Sequence, residues 1–590
     1  VKDISMSITR RHFVLGTGAA LAASALPLQA TETNVTQTLT GKRFDLHIGY
    51  QTVNFTGKPA LATTVNKGLP GPTLRWKEGE RVTIRVTNHL NEPSSIHWHG
   101  IVLPSTMDGS PGFDFDGIKP GETFEYQFDV QQSGTYWYHS HSGFQEQTGL
   151  LGAIIVDPKD PDPIAYDREL LVLLSDWSNK APAELYARLK KSSHYYNYRE
   201  RTLGDLIRDL NTKGLAATRR ERAMWNQMRM SESDLADVGG QEYTYLVNGV
   251  TPAQNWLGLC KPGERVRLRI INGAAMTLFD LRIPGLKMTL VAADGQAIQP
   301  VEVDEFRLGN AEVYDVIITP EADRAYSLFA QNIDRTGFAC ATISTRPDLR
   351  AEIPLMDPPD LLSPQDMGMG GDHQNHGDAQ HSSHVQEDHS GHTQDDHSGH
   401  GQQDHSQHAD HDHAAMMDHT HMDHGQHANH EAATPGLAPA GLGNNSDRGS
   451  TTVNHADSEF GPGVDNRAAM PASGLADPGV GLRNHQQRYG RRVLTYADLR
   501  SLHPTRDKRQ PSREIELHLT GNMERYIWSI NGQSFADAAP LELTYGERVR
   551  IILVNDTMMT HPIHLHGMWS ELETGDPDYI PRKHTVLVQP

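Results

Sequence analysis

The stretch Gly79-Glu80-Arg81-Val82-Thr83-Ile84-Arg85-Val86 reads as a glycine turn followed by apolar/polar alternation, the period-2 pattern of a half-buried strand. The signature returns as Gly263-Glu264-Arg265-Val266-Arg267-Leu268-Arg269-Ile270 and as Gly546-Glu547-Arg548-Val549-Arg550-Ile551-Ile552-Leu553. An Asn-Gly or Asn-x-Gly element precedes each copy: Asn66-Lys67-Gly68, Asn248-Gly249 and Asn531-Gly532. One match would carry little weight. Three with the same upstream turn predict three related β-domains. Short β-rich runs such as Leu170–Leu174 and Leu150–Val156, broken by Pro and Gly, fit β-sandwiches. Only Leu185–Arg222 reads as helical, an insertion in the middle domain.

The domains are expected at 34–160, 165–350 and 491–590. From 358 to 490 the composition turns to His, Asp, Gln, Ser and Gly with almost no apolar periodicity, which predicts a disordered linker or insertion. The chain length of 590 residues fits three or four domains at about 150 residues each. A formal net charge of −21 argues against a broad footprint for nucleic acid or an anionic membrane.

Histidine is the compositional anomaly: there are 33, against two cysteines. That excludes a disulfide-stapled scaffold and Cys-built zinc or iron–sulfur sites, and points to metal bound by imidazole. The two cysteines, Cys260 and Cys340, both fall in the middle repeat and read equally well as a disulfide or as two buried thiols. At the amino end, Arg10-Arg11 before a Gly/Ala/Leu-rich run to about Leu28 reads as a Tat-type signal (1–30), cleaved near Ala30 or Ala25, with Met6 an equally good start. The alternative is a short buried helix. No later run reaches ~18 consecutive apolar residues, so a soluble periplasmic chain is expected.

Three histidine motifs stand out. They are His97-Trp98-His99-Gly100, His139-Ser140-His141 and His561-Pro562-Ile563-His564-Leu565-His566-Gly567. In a strand, residues i and i+2 point to one face, so each His-x-His offers two imidazoles to the same side. His97 lies 15 residues after Val82, and His564 lies 15 after Val549. His99 and His566 keep this register, each followed by Gly. In the middle repeat the same offset falls on Leu281 and Ile283, so that copy has apolar residues where its neighbours have imidazoles. Imidazole suits copper, zinc, iron or nickel, so ligand type alone does not choose the metal.

With these motifs the chain resembles a three-domain multicopper oxidase, most of all the CopA-type periplasmic copper-resistance proteins, over everything except the His-rich segment. The resemblance implies an all-β fold of three cupredoxin-like Greek-key β-sandwich domains, with the middle one lacking copper ligands. It implies type 1, type 2 and binuclear type 3 copper as cofactors. By position, His97 and His564 match the type 2 ligands, and His99, His139, His141 and His566 the type 3 ligands. His561 matches a type 1 ligand. Asp108, in Met107-Asp108-Gly109, matches a family acid that assists proton delivery to oxygen; read from its neighbours alone it is equally an Asp-Gly turn residue.

Family members complete these sites with a late His-Cys-His run, then a further His and a Met. His97 to His139 is 42 residues, and the same interval from His564 runs beyond Pro590. The type 1 thiolate and the remaining type 3 imidazoles are therefore expected past the end of this chain. As it stands, the chain is expected to be inactive as an oxidase. It reads as a fragment of an active parent, because Lys583–Pro590 stops in an apparent strand.

Between His373 and His430 lie 17 histidines, the first ten as HxxH pairs with a period of eight: 373/376, 381/384, 389/392, 397/400 and 405/408. Imidazoles and carboxylates in a flexible chain suit weak, multivalent binding of Cu(II) or Zn(II), in competition with protons below ~6.5. The alternative is an expanded repeat with no role. Met367, Met369, Met416, Met417 and Met422 add thioethers suited to Cu(I). Met224, Met228 and Met230 read equally as soft ligands or as one packed helix side.

The implied activity is oxidation of periplasmic Cu(I), with small phenolics as a second substrate class, coupled to four-electron reduction of O2 to water. Copper sequestration by the linker and a laccase-like phenol oxidase are the competing functions. The implied partners are the Tat export machinery and a periplasmic copper chaperone, with no nucleic acid.

Overall fold

A computed structural model describes residues 37–321, 323–368, 438–442 and 453–590. The Arg10-Arg11 signal and the His373–His430 segment lie outside them.

The three glycine-led signatures are strands Arg81–Asn88, Val266–Asn272 and Val549–Asn555. Each runs parallel to an earlier strand of its own domain: Arg43–Val53, Arg168–Trp177 and Arg513–Asn522 respectively. In the first, the burial alternation follows the sequence, with Val82, Ile84 and Val86 all inside. The upstream asparagines do one job three times. Asn66, Asn248 and Asn531 adopt left-handed φ of 51°, 52° and 52°, which Asn tolerates because its short side chain bonds locally. Each side-chain oxygen accepts a backbone N–H from the parallel strand, at His47, Leu173 and His518.

A second three-fold device carries no obvious sequence signature. The strands end in Asn88, Asn272 and Asn555, whose amides cross-brace the following loop. Asn88 accepts from Leu90 N–H and donates to Ile118 O; Asn272 accepts from Ala274 N–H and donates to Thr277 O; Asn555 accepts from Thr557 N–H and donates to Met559 O. All three are buried, where an unpaired amide would cost about 1–3 kcal/mol.

The first domain is a sandwich of two sheets. One has strand order Thr38–Thr40, Thr73–Lys77, Leu151–Asp157, Gly134–His139, His97–His99; the other has Ala60–Val65, Arg43–Val53, Arg81–Asn88, Thr123–Asp129. Trp76, Trp98, Tyr126 and Phe128 fill the space between them edge to face, with centroids 5.2–6.2 Å apart for Trp98 against the other three. The second domain pairs a six-stranded sheet with a five-stranded one. Leu281 and Ile283 lie in its core, so the positions that carry imidazoles elsewhere supply packing here. The third domain contributes the sheet built on Arg513–Asn522 and Val549–Asn555, and the ribbon His561–His564 against Thr585–Val588.

The expected helical insertion is present as Pro182–Leu189, Leu203–Lys213 and Leu215–Met228. Thr202 and Asp205 form a reciprocal cap on the second helix, and Gly214 separates it from the third. Met228 and Met230 pack into an apolar cluster with Trp225, Met367, Met523, Met558 and Met559, which is the packed reading of these thioethers.

Two expectations change. Cys260 and Cys340 are separate buried thiols. The unstructured stretch expected over 358–490 is narrower, because residues 358–368 and 453–490 pack onto the sandwiches. Leu362, Met367, Val480 and Leu482 are buried there, as are Glu459 and His485. These apolar residues are spaced too irregularly to show a period, and the domains select them one at a time.

Candidate metal centre

Trp98 sets the geometry of the first motif. Its indole is fully buried in the core of the first domain, so His97 and His99, one residue to either side on the strand, both face outward from that core. Removing such an anchor typically costs about 3–5 kcal/mol. The strand pairs antiparallel with Gly134–His139, bringing His97 opposite His139 and His99 opposite Trp137. The His139 ring stacks on the Trp137 indole at 4.1 Å and 10°.

The third-domain ribbon completes the cluster. His564 lies on His99 at 3.8 Å between ring centroids, and His566 lies 4.3 Å from His97. His141 is 4.8 Å from His97 and 4.9 Å from His566. Ligand nitrogens of His97, His99 and His564 lie within 4.8 Å of one another, and so do those of His97, His141 and His566. Two three-imidazole groups thus share His97, and His139 adjoins both through His99 and His141.

His561 stands apart. It precedes His564 by three residues on one strand, so its side chain points to the other face. There it contacts Trp528 edge-on at 4.8 Å, and its Nε2 lies 2.6 Å from the Thr557 hydroxyl. Burial pushes its pKa down to about 4.

The outer nitrogens of the cluster are anchored. His97 Nδ1–H donates to the Asp108 carbonyl at 2.9 Å, and His564 Nδ1–H donates to the His584 carbonyl at 2.6 Å. A carbonyl only accepts, so both rings carry the proton on Nδ1 and turn the Nε2 lone pair inward. Both Nε2 atoms are buried and without a hydrogen-bond partner. His566 Nδ1 lies 2.9 Å from Asp108 Oδ2, which also accepts from the Ser110 hydroxyl. Burial and neighbouring imidazoles push His99 far below its ordinary value, and burial brings His564 down to about 2, so the rings are neutral donors at pH 7. Buried unpaired Nε2 lone pairs, with Nδ1 tied to an acceptor, are the arrangement a metal-ligating histidine takes.

Asp108 is 7% exposed and bridges the two domains through His97 and His566. Burial opposes its ionisation, but the hydrogen bonds from His566, His97 and Ser110 outweigh that and hold the carboxyl far below the usual range. Its Oδ1 is buried with no partner.

Several residues here escape the sequence reading. His584 is buried against His99 and His564, at 4.8 and 5.9 Å, and its Nε2 is also unpartnered. A Cβ on Gly100, whose φ is +80°, would run into the His584 ring. The Thr585 hydroxyl meets His99 Nε2 at 3.1 Å. Lys583, fully buried, pairs with Asp294 and Glu312 of the second domain at 2.9 and 3.0 Å and fixes this strand from behind. His584 belongs to no His-x-His pair and no repeat, so only its position in space marks it.

Residues 47–161, 168–347 and 508–590 each match the multicopper oxidase family. Copper resistance protein A of Escherichia coli is 52% identical over 564 residues, covering 94% of this chain and 88% of that protein. Copper resistance protein A of Pseudomonas syringae pv. tomato is 55% identical, covering 99% and 93%. Among solved structures, the L499M mutant of the laccase from B. aclada matches with a TM-score of 0.55 at 17% identity, over 95% of this chain and 83% of that one. Fet3p, a multicopper oxidase that functions in iron import, matches with a TM-score of 0.54 at 18% identity, over 94% and 84%. At these identities the structural matches bear on the fold, which is three cupredoxin-like β-domains.

Proposed function

The chain belongs to the multicopper oxidases, and from this we propose that it is a copper-resistance oxidase coupling one-electron oxidation of Cu(I) to the four-electron reduction of O2 to water. The observation that carries the reading is the pair of buried, unpartnered Nε2 atoms of His97 and His564, from two different domains, among four further imidazoles.

These donors fit copper. His97 and His564 would hold the type 2 ion, and His99, His139, His141 and His566 would hold ions of the type 3 pair; His561 would serve type 1. Bound copper supplies the redox chemistry, accepting single electrons from the substrate and delivering them to O2. The rest is the work of the chain. Asp108 O and His584 O hold the His97 and His564 rings in the ligating tautomer. Asp108 Oδ1 is a buried free acceptor next to the cluster, suited to hold a proton on its way to reduced oxygen. His97 and His99 are closed off from solvent, while His141 and His566 are open to it and offer the approach for O2.

The reading includes Tat export through Arg10-Arg11 to the periplasm, delivery of copper by a periplasmic chaperone, and Cu(II) capture on the His373–His430 segment. Among the described residues no helix is long and apolar enough to cross a membrane. The test is O2 consumption by the copper-loaded protein with Cu(I), with and without a competing small phenol. Catalytic uptake with Cu(I), reduced when His564→Gln is introduced, is the expected result. Binding of copper without catalytic uptake would mean sequestration, and preference for the phenol would mean a laccase-like enzyme; either overturns the proposal.

A further inference from the structure

A second cluster of metal-ligating side chains lies at the back of the third domain. His455 and Glu459 come from the 3-10 turn region Asp457–Phe460 and its approach, His518 from the strand Arg513–Asn522, and Asp556 from just beyond Val549–Asn555. One donor atom from each lies within 4.8 Å of the other three. Glu459, His518 and Asp556 are 0%, 1% and 2% exposed, and the His455 side chain is 16% exposed.

Both imidazoles face the centre with the same nitrogen. His455 Nδ1 is 2.6 Å from Glu459 Oε2 and 4.0 Å from Asp556 Oδ2; His518 Nδ1 is 2.7 Å from Asp556 Oδ2 and 3.7 Å from Glu459 Oε2. Their outer nitrogens meet acceptors. His455 Nε2 donates to Ala468 O at 3.1 Å, and His518 Nε2 donates to Glu516 Oε1 at 3.2 Å. Each ring therefore carries a proton on Nε2, and the neutral tautomer has its Nδ1 lone pair turned inward. This is the outer-shell pattern that orients ligating histidines.

The charge balance asks for a cation. Two buried carboxylates need two positive charges, and among the described residues neither Glu459 nor Asp556 has an Arg or Lys within ion-pair distance. The Glu305–Asp357–His485 cluster is a contrast: Arg282 and Arg491 neutralise it at 2.7–3.0 Å, which leaves nothing for a metal to do. A tetrahedron with bonds of about 2.0–2.1 Å has edges of about 3.4 Å. The four N–O separations bracket that length.

We propose that His455, Glu459, His518 and Asp556 form a closed structural site for a tetrahedral divalent cation, with Zn(II) the ion that the donor set favours. Four protein donors leave no open position, so the ion performs no chemistry. It ties the segment 455–468, whose Ala468 N–H also donates to Asp556 Oδ1 at 2.6 Å, to two strands of the third domain. The site is independent of the oxidase reading.

The test uses the full chain, stripped of metal by a chelator. Titration with Co(II), whose absorption is intense only in near-tetrahedral sites, is compared in wild type, Glu459→Gln and His455→Gln. In parallel, unfolding is followed with and without Zn(II). Wild type should gain a one-equivalent tetrahedral Co(II) signal that Zn(II) displaces. Both variants should lack that increment, bind Zn(II) there at least about a hundredfold more weakly, and lose the Zn(II)-dependent rise in unfolding temperature. Identical signals in all three proteins would overturn the proposal and leave an ion-pair network of two imidazoliums and two carboxylates. Should the variants not fold, wild-type crystals soaked in Zn(II) decide: an anomalous peak among the four donors supports the site, and none refutes it.

Discussion

Lys583→Met removes the single ammonium that the structure places between two fully buried carboxylates. Lys583 Nζ lies 2.9 Å from Asp294 and 3.0 Å from Glu312, and all three side chains are 0% exposed. Burial opposes the charge on the lysine, but Asp294 and Glu312 outweigh it and hold the ammonium above its ordinary value. Methionine keeps the length of the stem and leaves both carboxylates without a counter-charge. Breaking a buried pair in this way costs about 3–5 kcal/mol. Part of the loss is offset by donors that remain: Asp294 still accepts from Val313, His584 and Thr585 N–H, and Glu312 from Gly309 N–H and the Tyr496 hydroxyl. The lower end of that range, about 3 kcal/mol, is therefore expected, read as a fall in the urea midpoint of the transition that reports the third domain. The same variant should weaken copper retention, because the 583–585 strand carries the carbonyl that orients His564 and the hydroxyl that meets His99. Adding Glu312→Gln to Lys583→Met should restore part of the stability by removing one unpaired charge. A loss under about 1 kcal/mol in the single variant would refute the reasoning, as would a double variant less stable than Lys583→Met, since buried pairs rest on mutual compensation.

Asp108→Asn should retain copper, measured by metal content, yet slow O2 consumption by about 10²–10⁴-fold, the usual weight of a positioned proton carrier; an unchanged rate would reduce Asp108 to a turn residue. Asp234 is buried, and burial with Asp237, Glu200 and Asp334 nearby pushes its carboxyl well above the ordinary value. A carboxyl raised in the folded state contributes stability that is full below about pH 3.9 and is lost as pH climbs through its folded value. Asp234→Asn should then flatten the dependence of the urea midpoint over pH 4–8 and raise stability at the upper end, by about 1.4 kcal/mol for every tenfold by which folding tightens the carboxyl's hold on its proton; parallel profiles would count against it. Asn248→Ala deletes both bonds to the parallel strand, at Leu173 N and Leu171 O, and puts alanine at φ 52°. It should cost about 2–4 kcal/mol in chemical denaturation, and a loss below about 1 kcal/mol would mean the turn is not held by its side chain.

What the sequence alone determined is local. Alternation in three glycine-led strands marks three sandwiches, because a strand turns its side chains with period two wherever it lies in the chain. His-x-His pairs share a face for the same reason, and the register of His97 and His564 on equivalent strands carries over because each repeat builds the same turn. Proximity across the fold is a different quantity. Asp108 reaches His566 across 458 positions of chain, and the Lys583–Thr585 strand enters the cluster from behind. Neither contact has a periodicity, since each is set by how whole sheets pack. The same holds for His455, Glu459, His518 and Asp556, drawn from a segment that reads as linker and from two strands whose alternation announces packing. Residues from separate elements meet because burial leaves their charges no other partner, and that requirement is met only once the domains have closed on one another.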